Sequence, residues 1–211
     1  MNDRSGGGTP QGPGAPSLST RELAARLQVG DLVFIRIRAL AFRKISEATG
    51  SWTNHVGVVL DVSDEQPVIG ESRVPLSGST RLGRFVARSQ SRRVAVARLR
   101  APLDTQQQRR VAAAARRRAG VLYDAGFNLD SRRQFCSRYA REVLAEATGV
   151  TIGQVESFAA LLERNPEASL TFWRLWYLGR IPWARRTVTP AALLASPELE
   201  TVFDGTVRRA G

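Results

Sequence analysis

TNHVGVVLD, residues 53–61, carries the only histidine of a 211-residue chain, and QFCSRYAREVL, residues 134–144, carries its only cysteine. From His55 onward the first stretch is mostly apolar and β-branched, which is the composition of a buried strand. The second stretch places Cys136, Ala140, Val143 and Leu144, with Ala147 beyond it, on one stripe at helical spacing, and Gly149 closes that helix. Cys136 therefore stands in the first helical turn or immediately before it. The two scarce residues sit at the starts of a strand and of a helix, so the fold turns on whether those elements face each other.

Working outward from His55, SDEQ (63–66) is turn material and PVIGESR (67–73) is a second strand, which makes a β-hairpin. If Asp61 pairs with Pro67, Gly57 lies opposite Glu71, and His55 and Glu71 become diagonal neighbours on one face. A slip of one residue would put them on opposite faces. Upstream, LVFIRIR (32–38) alternates as a strand with one buried face, and ALAFRKISEATG (39–50) is a short helical piece stopped by Gly50. Downstream come a helix through Leu82, Phe85 and Val86, a strand RRVAVARLR (92–100), and a helix capped by Asp104 and Gln107 and stopped by Gly120. Residues 121–135 read as a loop. The pattern is α+β, an antiparallel sheet packed against the helix that carries the cysteine.

The ends are less regular. Residues 1–18 are rich in Gly, Pro and Ser and read as a disordered, dispensable leader, with a single domain from 19 to 211 that starts at the capping box of Ser19 and Glu22. A motif core spans about 30–149, and a helical extension follows over about 150–211. In that extension Thr189 caps a helix with Pro190 at its first position. Trp173, Trp176 and Trp183 form either a docking segment that closes the core or an aromatic wall for an acyl or aryl substrate.

Composition narrows the chemistry. One cysteine excludes an internal disulfide and any thiolate-rich zinc or iron–sulfur cluster, and the reading calls for no cofactor and no metal. The net charge of +12 is almost all arginine, Lys44 being the only lysine. It is densest between Arg81 and Arg118, where twelve arginines meet one acid, Asp104. Such a stretch reads first as a solvated helix face and strand rim and could also contact an anionic surface, whereas nucleic acid is disfavoured because only Phe85 interleaves to stack a base. No apolar run spans a bilayer and no signal peptide precedes the chain as numbered, so a cytoplasmic location is expected, with a periplasmic one if the form is processed.

A cysteine is a nucleophile as its thiolate, which a helix N-terminus and a nearby imidazolium both favour. His55 is the candidate base, and a third group must hold its tautomer. Glu71 is that candidate, with Asp61 or Asn54 next. The competing reading is that a lone cysteine and a lone histidine are core residues of a basic binding module.

GDLVFIR, TNHVGVVLD, GES and QFCSRYAREVL, in that order, resemble the permuted papain-like branch of the NlpC superfamily. The nearest members are the YiiX- and YebB-type amidase-like proteins, with lecithin:retinol acyltransferase relatives further off. Ordinary papain-like enzymes place the cysteine helix before the histidine strand, and the permuted branch reverses them, as here. The resemblance covers roughly Gly30 to Gly149. It implies Cys136 as nucleophile, His55 as base, Glu71 as orienting group and Tyr123 near the oxyanion. Phe135 departs from the Asp that many relatives carry before the cysteine. The resemblance implies a cysteine amidase or peptidase acting on a peptide or acyl-amide; a lipid acyltransferase or lipid hydrolase at an anionic membrane uses the same residues.

Overall fold

The computed structural model describes residues 16–166 and 168–208. Seven strands make one sheet: β1 (Ser17–Ser19), β2 (Leu32–Ile35), β3 (His55–Asp61), β4 (Val68–Glu71), β5 (Gly78–Arg81), β6 (Arg93–Leu99) and the last strand, β9 (Leu199–Arg208). Their spatial order is β1-β9-β6-β2-β3-β4-β5, antiparallel throughout except for the parallel edge pair β1–β9. β7 (Glu156–Ser157) and β8 (Arg186–Thr187) form a separate two-stranded ribbon.

The sheet is covered on both faces. One face, with Phe34, Val56, Val58 and Ala95, packs on α4 (Thr105–Arg117) and α5 (Cys136–Thr148) through Val111, Ala140, Val143 and Leu144. The other face, with Val33, Ile35, Val59 and Ile69, packs on α1 (Thr20–Ala24) and α3 (Leu82–Ala87) through Leu23, Leu82 and Phe85. Two-sided burial corrects the expectation of a strand over residues 32–38 with one wet face: every residue of β2 is buried, and the strand stops at Ile35. A strand with helices on both sides must be apolar at consecutive positions.

The expected boundary between leader and domain at residues 18 and 19 falls inside a strand, β1. Ser17 and Leu18 lie in β1, paired with Thr206 and Val207, and Leu18 is buried because its side chain completes the α1 face; residues 1–15 lie outside the described residues. At the charged end of β6, Arg98 grips the buried Asp31 with two bonds of 2.7 and 2.8 Å, tying β6 to the start of β2.

The C-terminal extension adds α6 (Phe158–Arg164), α7 (Leu170–Trp176) and α8 (Pro190–Leu194). It forms a third cluster around Phe158, Leu161 and Trp173 that packs against Ala48 of α2 (Leu40–Thr49). Ser137 on α5 donates to the Val188 carbonyl at 2.7 Å, bolting the extension to the helix of the cysteine.

Candidate active site

The hairpin sets the geometry. Val58 pairs with Gly70 and Val59 with Ile69, so Gly57 is level with Glu71 and His55 lies one diagonal step from it on the same face. At the turn end Asp61 pairs with Val68 rather than Pro67, because a bulge between Val59 and Asp61 absorbs one residue. The expected register thus holds at the site end and is off by one at the turn.

His55 Nε2 and Glu71 Oε2 are 2.7 Å apart, and both side chains are fully buried. The imidazole ring lies between Phe42 and Phe85, at centroid distances of 6.0 and 5.7 Å. Glu71 is also held by Arg88, whose Nη2 donates to both carboxylate oxygens at 2.9 and 2.7 Å. Burial by itself would push the Glu71 carboxyl up, but the bonds and charges of His55 and Arg88 hold it below the usual carboxylate range.

Nε2 is therefore committed. Nδ1, buried and making no hydrogen bond, is the ring nitrogen left for Cys136. Burial opposes the imidazolium, yet the charge and side chain of Cys136, followed by those of Glu71, raise His55 from 6.5 to about 9. Cys136 is thus close enough to favour the charged ring, and no hydrogen bond joins its sulfur to Nδ1.

Cys136 is the first residue of α5, whose N-cap, Phe135, provides no side-chain bond to the first turn. The first N–H groups of that turn have no intrahelical acceptor, which puts unpaired donors at the end of the helix that carries the thiol. Tyr123 lines the same cavity as Cys136. Its backbone N–H donates to Pro75 O at 2.9 Å, it bridges to Gln134, and burial together with the adjacent Cys136 pushes its phenol well above its ordinary value, so it stays a neutral donor. Cys136 and Tyr123 open into a small cavity of about 30 Å³ walled by Phe127, Phe135, Phe158 and Trp173.

The alternatives for the orienting group are occupied elsewhere. Asn54 accepts from Ile37 N at 2.7 Å and donates to Ile37 O and Phe42 O at 3.1 and 2.9 Å, clamping the start of α2 beside β3. Asp61 accepts from Ser63 N at 2.8 Å and shapes the turn. Arg88, one arginine among many at the end of a short helix, has no signal in the sequence that marks it as Glu71's partner.

The basic stretch is also reassigned in part. Arg81, Arg88, Arg93, Arg98, Arg117 and Arg118, half of its arginines, are in ion pairs within the molecule, so they offer less charge to an outside anion than the sequence implies.

A sheet whose first hairpin holds a buried His–Glu pair, met by the cysteine at the start of a later helix, is the permuted papain-like arrangement. The chain matches the model of the permuted papain-like amidase family, YaeF/YiiX, C92, over residues 26–203, and it belongs to that family. It is 26% identical over 185 residues to the Escherichia coli K12 protein named "Uncharacterized protein YiiX", covering 88% of this chain and 90% of that one. The crystal structure reported as metalloprotein yiiX of Escherichia coli O157:H7 superposes with a TM-score of 0.77 at 28% identity, covering 85% of this chain and 98% of that one.

Proposed function

We propose that the protein is a cysteine hydrolase that cleaves an amide bond through an acyl-enzyme, with Cys136 as nucleophile, His55 as proton carrier and Glu71 as orienting carboxylate. The observation that carries this reading is the occupation of the imidazole on one side only: Glu71 holds Nε2, Nδ1 makes no hydrogen bond, and Cys136 is close enough to act on the charge of the ring. Most buried side-chain polar atoms have a partner, so a histidine that only filled the core would ordinarily have both nitrogens satisfied.

The Cys136 thiolate attacks the amide carbon, forming an S–C bond and driving the carbonyl electrons onto oxygen. The oxyanion is received by the Cys136 N–H and the Tyr123 hydroxyl. Collapse breaks the C–N bond, and the departing amine takes the proton from His55 Nδ1. Water then enters, gives a proton back to His55 and attacks the thioester, releasing the acid and restoring the thiolate–imidazolium pair. Glu71 keeps Nε2–H directed at itself through both steps, so Nδ1 is the nitrogen that exchanges the proton.

The aromatic walls beside Cys136 suit an apolar group on the acyl side once the cavity of about 30 Å³, room for little more than a water, widens to admit it. They also favour, as a second reading, an acyl ester or thioester cleaved by the same residues. The related E. coli protein is described as a metalloprotein. In this chain, among the described residues, no three His, Cys, Asp or Glu side chains gather as ligands, and Glu71 is already committed to His55 and Arg88. The donor set does not fit a metal, and no step is routed through one.

Intact-mass measurement after incubation with a panel of acyl amides and activated acyl esters tests the proposal. Wild type should gain the mass of one acyl group, and Cys136→Ala should gain none while keeping its melting temperature, since one small side chain replaces another. Hydrolysis that persists undiminished in Cys136→Ala would overturn it.

A further inference from the structure

Apart from Val202 on β9, the large exposed apolar side chains of the extension fall between residues 170 and 183. Leu178 is 95% exposed and Leu175 75%, and Leu170, Trp176 and Trp183 are exposed around them. All lie on α7 or on the reversal that follows it. Leu178 has a φ of 52°, in the left-handed region that leucine rarely adopts, and Gly179 follows at 93°. The reversal is nonetheless well tied: Gly179 N donates to Arg174 O at 2.7 Å and Arg180 N to Tyr177 O at 3.2 Å. Trp176 donates to Ala125 O at 2.9 Å and stacks on Phe172 at 5.6 Å. The knuckle is thus built to present leucine to the outside rather than left loose.

Its charge is one-sided. Residues 168–197 contain Arg174, Arg180, Arg185 and Arg186 and no Asp or Glu. Arg186 pairs with Asp130 and Arg185 bonds to Gly126 O, whereas Arg174 and Arg180 are exposed and in no ion pair among the described residues.

We propose that this knuckle docks the protein on an anionic phospholipid bilayer, with Leu175, Leu178 and the tryptophans entering the acyl boundary and Arg174 and Arg180 meeting the phosphates. Exposed Leu and Trp flanked by Arg is the composition of an interfacial contact, and it needs no spanning helix. A second copy of the chain fits less well, because a two-fold contact through this patch would set the arginines of one copy against those of the other. The opposite face of the same helix carries Trp173, a wall of the cavity beside Cys136, so docking would bring the site close to the membrane surface. The proposal is independent of the catalytic reading, since binding needs no turnover.

The test is co-sedimentation of the full chain with vesicles of phosphatidylcholine alone and of phosphatidylcholine mixed with phosphatidylglycerol. Wild type should bind the mixed vesicles, bind phosphatidylcholine much less, and release as salt rises. The double variant Leu175→Glu/Leu178→Glu should lose affinity by about tenfold or more, and so should Arg174→Glu/Arg180→Glu, with melting temperatures unchanged. The Cys136→Ala protein should bind like wild type, which separates this result from any failure of the catalytic proposal. Wild type that ignores the mixed vesicles, or variants that bind them equally well, would overturn it. So would a concentration-dependent dimer, seen by sedimentation velocity, that the leucine variant abolishes in the absence of vesicle binding.

Discussion

His55 is where charge, burial and position meet. Fully buried, it would lose its proton easily, but Cys136 and Glu71 keep the imidazolium to about 9. In the proposed mechanism the leaving amine takes that proton, so the acylation rate should fall as pH rises through about 9. Glu71→Gln removes a negative charge that favours the imidazolium, so the alkaline limb should move to lower pH and the rate should drop by roughly a hundredfold or more. A pH–rate profile of the variant that overlays the wild type would assign the orienting role elsewhere. Arg88 makes a second residue-scale prediction. It is a positioning residue, acting through Glu71, and Arg88→Met should leave a buried carboxylate half-satisfied, at a cost of about 1.5–3 kcal/mol. Arg88→Lys should recover part of the stability and of the alkaline limb, because it restores charge without the fork. An unaltered limb in Arg88→Met, measured beside thermal melts, would reduce Arg88 to a structural role.

Among the elements, the contact of α5 with β4 decides where the thiol stands. Gly70 faces α5 on the side of β4 opposite Glu71, and a Cβ there would come within 2.5 Å of the Tyr139 hydroxyl and 2.7 Å of Leu60 Cδ1. Leu60 can turn aside, but Tyr139 is almost wholly buried and cannot. Gly70→Ala should therefore push α5 outward, costing about 1–3 kcal/mol in chemical denaturation and weakening acylation more than its size suggests. The helix of the cysteine was readable from its stripe and from Gly149, whose φ of 78° ends it. The hairpin was readable at its site end, where Gly57 faces Glu71. The bulge between Val59 and Asp61 was not, because a bulge answers to the packing of the neighbouring strands rather than to a local pattern.

At the scale of the whole molecule, β9 holds the sheet together from the end of the chain. It pairs with β6 along the length of that strand and with β1, and contributes Phe203 and Val207 to the α1 face. A chain truncated after Pro197 keeps every motif that marks the family, yet it should aggregate, because β6 would be left as a long apolar edge. Soluble yield and circular dichroism would check this, and a folded, monomeric product would refute it. The sequence read alone did not show β9, since a register shift beside Val96 breaks its alternation and most of its first half is exposed. What the sequence determined by itself is the order of the parts: a histidine at the head of a strand, a glutamate in the strand that follows, and a cysteine at the head of a helix, each legible because strand and helix periods are local. Only the tertiary structure decided that Arg88 grips Glu71, that half of the basic stretch pairs with acids of the same chain, and that the tryptophan segment divides into Trp173 within and Trp176 and Trp183 without. Those pairings join residues far apart in the chain, and no spacing in the sequence encodes which distant partner burial will bring together.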